Sequence, residues 1–107
     1  MSEPQTAKQL LERMVKGYNP SAYNSDTEVM FQFTGAEKST YYLKIENGRC
    51  TLHQGELSFC KLTLEVDTST WQSILDGEIP WNIMARNFII KGNNFALLAK
   101  FPQVFGF

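Results

Sequence analysis

The side chains able to do chemistry are few and scattered. The chain has one histidine, His53, and two cysteines, Cys50 and Cys60. His53 alternates with Leu52 in an extended-looking run, and no catalytic motif surrounds it. The cysteines have the spacing of neither a zinc knuckle nor a CxxC redox pair. In a reducing compartment they are read as free thiols that pack like small hydrophobes, with a disulfide or a reactive thiol as the alternatives. The acids Glu56, Glu65, Asp67, Asp76 and Glu78 fall at turns, helix ends or a polar strand face. There Asp67 and Asp76 suit helix-end chemistry better than proton transfer. No nucleophile elbow, phosphate loop, HExxH pair or dinucleotide fingerprint occurs, and no ligand set suggests a metal. The expectation is a protein that is not an enzyme, with no catalytic residue, no metal and no cofactor.

Charge narrows the partners. The net charge is −1 over 107 residues, and basic residues never run consecutively. A nucleic-acid surface needs a basic patch, so nucleic acid is not expected. The same balance argues against strong electrostatic attachment to a membrane. No apolar run approaches the roughly 18 residues of a spanning helix, so no stable membrane insertion is expected. The polar start MSEPQTAKQ lacks an apolar signal region, and FPQVFGF is not a peroxisomal address. A cytoplasmic protein is the expectation, folded as a single domain over 1–107.

The apolar residues must therefore position a site, if there is one, and their period changes along the chain. Thr6 can cap a helix to about Lys16 with Leu10, Leu11, Met14 and Val15 on one face, and Gly17 is a natural stop. Asn19 and Pro20 can start one helical turn. From Val29 the period is two: Val29, Phe31 and Phe33, then Tyr41, Leu43 and Ile45, then Cys50 and Leu52, then Leu62, Leu64 and Val66. Asn47-Gly48 is a strong hairpin turn signal. Four strands with short connections predict an antiparallel meander with one buried face. Asp67 or Thr68 then caps a helix carrying Trp71, Ile74 and Leu75, which Asp76-Gly77 stops. Pro80 opens a second helix with Trp81, Met84 and Ala85 inward. Phe88 to Lys91 form a short strand ending at Gly92, and Asn93 caps a last helix bearing Phe95, Leu98 and Phe101.

The ordered motifs between residues 71 and 101 resemble the sterol-carrier-protein (type two) family. They are Trp71, Ile74, Leu75, Gly77 and Glu78, then the Pro80-started helix, then Phe88-Ile89-Ile90-Lys91-Gly92-Asn93, then a short leucine-containing helix. Earlier segments are also similar: Tyr18-Asn19-Pro20-Ser21-Ala22, Phe31-Gln32-Phe33-Thr34-Gly35 and Ile45-Glu46-Asn47-Gly48. The strand usually ends in Gly-Asp, and Asn93 keeps a capping side chain there. The missing peroxisomal tail is similar to a bacterial-type stand-alone member.

The resemblance implies an α+β fold: a five-stranded, mostly antiparallel sheet with helices packed on one face, enclosing an apolar cavity. Its lining would be Phe33, Leu43, Leu64, Trp71, Ile74, Leu75, Ile79, Trp81, Met84, Phe88, Ile90, Phe95, Leu98 and Phe101. On their own pattern the same residues equally fill a dry core. The implied function is non-enzymatic binding or carriage of a lipid or fatty-acyl molecule, whether fatty acid, acyl chain, sterol-like or isoprenoid. About ten buried methylenes contribute roughly 8 kcal/mol before ordering costs, which is compatible with micromolar, weakly selective binding. The alternative is an accessory interaction protein that supports lipid or quinone biosynthetic enzymes without carrying lipid. Arg86, Lys91 and Lys100 are either partners of an acidic headgroup or plain solvated charges. The Phe-rich end, FPQVFGF, is read as a cover for the cavity mouth, as a homodimer contact, or as part of the core.

Overall fold

The first helix begins where the sequence places its cap. Thr6 Oγ1 accepts the Gln9 N–H, and the Gln9 side chain accepts the Thr6 N–H, a reciprocal capping box. Helix α1 (Ala7–Gly17) buries Ala7, Leu10, Leu11 and Met14. The computed structural model describes residues 3–86 and 88–107, the side chains of 84–86 excepted. Gly17 is not the left-handed stop expected of it. It lies inside the helix, and a Cβ there would overlap the carbonyl oxygen of Phe105. Asn19 and Pro20 make the single turn, with the Ala22 N–H on Asn19 O.

The strands are β1 (Thr27–Thr34), β2 (Ser39–Glu46), β3 (Arg49–Gln54), β4 (Leu62–Asp67) and β5 (Ile89–Gly92). Asn47 and Gly48 both have positive φ, 54° and 71°, as the tight β2–β3 hairpin requires. The sheet order is β3-β2-β1-β4-β5, and β1 pairs with β4 in parallel while every other pair is antiparallel. The expected four-strand meander is thus corrected. After β3 the chain crosses over β2 and β1 and inserts β4 on the far side of β1. The 55–61 link can reach roughly 23 Å, and three strand spacings need only about 14 Å. Burial selects this order. Leu62, Thr63, Leu64 and Val66 are buried on both faces of β4, whereas β3 has no fully buried residue. A strand whose apolar row Leu62, Leu64 and Val66 is fully buried gains most in the sheet interior, where Thr63 on its polar face is covered as well. The link is tied to β1 by the Leu57 N–H on Met30 Sδ (3.4 Å) and by Cys60 Sγ on Glu28 O (3.1 Å).

The helices fill one side. Asp67 caps α2 (Thr68–Leu75), accepting from both the Thr70 N–H and hydroxyl. The segment after Pro80 is a 3₁₀ helix, Trp81–Arg86, interrupted by non-helical backbone at Ile83. The last helix is divided into α3 (Phe95–Ala99) and α4 (Phe101–Phe105). Pro102 explains the break: it has no N–H to give to Leu98 O, so the helix restarts at Lys100. The cap of α3 is Asn94, one residue later than the expected Asn93. Leu97 and Leu98 are buried, as expected of Leu98, while Phe95, next to the cap in the first turn, is 62% exposed. Phe101, Val104 and Phe105 of α4 are buried, and Phe107 packs partly against the same core. The Phe-rich end therefore completes the chain's own core, and those buried rings are not free to form the homodimer contact weighed from the sequence.

Candidate ligand-binding site

The sheet register brings the helix-facing side chains into rows. Val29, Leu43 and Leu52 stand in register across β1, β2 and β3, and Phe31, Leu64 and Ile90 across β1, β4 and β5. Above the second row, Trp71 forms the hub of an aromatic cluster. Its ring meets Phe31 (5.3 Å), Phe88 (5.7 Å), Trp81 (6.1 Å) and Phe101 (6.3 Å) edge-on, the geometry that ring quadrupoles favour. The Trp71 indole N–H points at Met14 Sδ, 3.3 Å away, so even its polar atom is answered inside the core.

Trp81 covers this hub from the 3₁₀ segment. It stacks on Phe101 at 5.3 Å and contacts Phe107 edge-on at 5.7 Å. Its Nε1–H donates to Leu98 O at 2.9 Å. That carbonyl is the one Pro102 cannot serve, so the break between α3 and α4 creates the acceptor that holds Trp81. Trp81 is only half-buried, as are Ile79, Ile90 and Phe107.

Of the residues singled out from the sequence, Phe33, Leu43, Leu64, Trp71, Ile74, Leu75, Phe88, Leu98 and Phe101 share one buried cluster. Ile79, Trp81 and Ile90 pack against its rim. Phe95, the first residue after the Asn94 cap, is exposed and does not join them. The Met84 and Arg86 side chains lie outside the described residues. Lys91 sits on the opposite sheet face, paired with Glu65 at 3.2 Å, and so does not reach this cluster. The lining set read from the sequence does not name Met14, Leu97, Val104, Phe105 and Phe107, although Met14 is placed there on the inward face of the first helix. The signal for the last three was present in FPQVFGF. Among the described residues, these rings pack against one another between the sheet and the helices. One open cleft, of about 300 Å³, is lined by Pro4, Gln5, Thr68, Ser69, Gln72, Ser73, Asp76 and Glu78.

No family model and no curated protein matches this sequence. Solved structures do match. Sterol carrier protein 2 like 2 from Aedes aegypti aligns at a TM-score of 0.71 and 14% identity, covering 91% of this chain and 94% of that one. A structure of the palmitated protein from the same organism aligns at 0.71, over 96% of each chain. This chain has the sterol-carrier-protein fold. Its likeness to the sec-alkylsulfatase Pisa1 from Pseudomonas sp. has a TM-score of 0.78 at 17% identity, covering 96% of this chain but only 17% of the enzyme. The chain therefore spans about a sixth of that protein.

Chemistry within this sterol-carrier fold is sparse. His53 stacks on Tyr42 (4.9 Å) and bonds Thr51 Oγ1 (2.8 Å) on the sheet face away from the helices. Both cysteines are free thiols, and burial pushes the Cys50 thiol up to about 11. Desolvation works against ionisation of Asp67, but the Thr70 hydroxyl and backbone N–H outweigh it and hold the carboxyl below its usual value. Among the described residues no group of three His, Cys, Asp or Glu side chains could hold a metal, and no helix is long and apolar enough to cross a membrane.

Proposed function

We propose that the protein binds or carries an apolar ligand, an acyl chain or similar lipid, without chemical turnover. The ligand would enter under the 3₁₀ segment and displace Trp81 from Phe101. The observation that carries this reading is the fold shared with sterol carrier proteins, one of them solved in a palmitated state. The half-buried Trp81, Ile79, Ile90 and Phe107 support the route, because they leave a side of the aromatic cluster only half covered among the described residues. The proposed lining, exposed once Trp81 swings aside as a gate, is Trp71, Phe88, Ile90, Leu98 and Phe101, with Phe33, Leu43, Leu64, Ile74, Leu75 and Ile79 as its packed walls. Such a lining recognises shape and apolarity, so weak chain-length selectivity follows. Denaturing extraction and mass spectrometry of the purified protein, with displacement of a fluorescent fatty acid, test this reading. Saturable one-to-one displacement is expected; its absence, with no co-purifying lipid, overturns it.

A second reading draws on the alkylsulfatase likeness, in which the same fold forms a small share of an enzyme chain. In that case the domain would act as an accessory module for a partner enzyme of lipid metabolism. Specific capture of such an enzyme, without intrinsic lipid binding, would favour it.

A further inference from the structure

We infer that β3 is a self-pairing edge, through which two copies of this chain join their sheets in a continuous antiparallel ribbon. The phase of the edge follows from the backbone. In an antiparallel pair, alternate residues turn both backbone groups to the neighbouring strand. The Gly55 N–H donates to Thr40 O of β2 at 3.0 Å. Arg49, Thr51 and His53 therefore bond to β2, while Cys50, Leu52 and Gln54 turn their N–H and C=O groups outward.

This edge lacks the devices that usually prevent pairing. Natural edges are blunted by proline, bulges, lysine or short length. From Cys50 to Gln54 there is no proline, lysine, arginine or carboxylate, and the register with β2 runs unbroken over six pairs. The opposite edge, β5, is four residues long and carries Lys91.

The occupant is a second copy because the edge is complementary to itself. Pairing around Leu52 sets Cys50 against the partner's Gln54, Thr51 against the partner's His53, and Leu52 against the partner's Leu52. All three outward-facing residues of each strand then exchange backbone hydrogen bonds, and helix-facing side chains meet helix-facing side chains. The charges also agree. Arg49 comes opposite the partner's Gly55, with the partner's Glu56 next along the chain, and no like charges face each other. A six-residue pairing falls below the roughly 1,200–2,000 Å² of a stable interface, so the dimer forms and dissociates with concentration.

Sedimentation velocity from about 10 μM to about 1 mM should show the average mass rising toward that of a dimer. Gln54→Pro removes an outward N–H and places a ring against the partner strand, while the bonds to β2 are untouched; it should hold the chain monomeric at every concentration with an unchanged circular dichroism spectrum. The positive arm is Leu52→Cys in a Cys50→Ser, Cys60→Ser background. The Cα–Cα separation of about 5.5 Å in a bonded pair suits a disulfide, so mild oxidation should give a covalent dimer. Thr51→Cys in the same background should cross-link much less. A chain that stays monomeric to 1 mM overturns the inference. So does a dimer indifferent to Gln54→Pro, or equal cross-linking at positions 51 and 52.

Discussion

Replacing Trp81 by alanine should weaken the fold and strengthen ligand binding at the same time. A fully buried aromatic side chain removes about 150–250 Å² from water, so the half-buried Trp81 contributes about 2–3 kcal/mol at roughly 25 cal/mol per Å². Its indole bond to Leu98 O adds about 1 kcal/mol. Trp81→Ala should therefore cost about 3 kcal/mol in urea unfolding, which Trp71, the remaining tryptophan, reports by fluorescence. If a ligand must push Trp81 off Phe101, it forfeits about 2–3 kcal/mol of this in the wild-type chain. The variant no longer exacts that cost, and its affinity for a long-chain fatty acid should rise about 30- to 150-fold, read by displacement of a fluorescent fatty acid. Unchanged or weaker binding by a folded Trp81→Ala protein would refute Trp81 as the side chain the ligand displaces.

Gly17→Ala raises helix propensity by about 1 kcal/mol, yet it should destabilise the chain by about 1–3 kcal/mol, because the new Cβ meets the Phe105 carbonyl and must push α4 outward. Chemical denaturation of the variant checks the sign. Asp67→Ala removes the α2 cap and should cost about 1–2 kcal/mol. Because the folded carboxyl is held below its usual value, its contribution is present above the unfolded pKa near 4 and fades as pH falls through the folded pKa. An Asp67→Asn chain should therefore lose less stability than wild type between about pH 5 and pH 2 in an acid titration. The Cys50 thiol, pushed up to about 11, should alkylate far more slowly at pH 8 than an ordinary exposed cysteine, and mass spectrometry of iodoacetamide-treated native protein measures the rate.

What could be read from the sequence was local. Thr6, Asp67 and Asn47-Gly48 act through contacts within a few residues, and the structure places them as read. The partner of β4 was not local. Alternation in Leu62 to Val66 identifies a strand, but its parallel pairing with β1 rather than with β3 is a long-range choice that appears only when the whole sheet is assembled. Phe95 and Leu97 show the same limit at a smaller scale. With the cap at Asn94, Phe95 falls at the first helical position and is exposed, and Leu97 joins Leu98 in the core. The candidate lining was legible as apolar residues. Their closure into a ring cluster was not, because the C-terminal phenylalanines that complete it arrive from a helix that Pro102 restarts.

The most direct test of apolar-ligand binding is an NMR titration that follows the two indole N–H signals, Trp71 and Trp81, while palmitate is added from a soluble carrier. The proposed function requires both signals to move saturably to a one-to-one end point, with the Trp81 signal shifting most as its bond to Leu98 O is lost. Indole signals that stay in place up to the solubility limit of the fatty acid would contradict it.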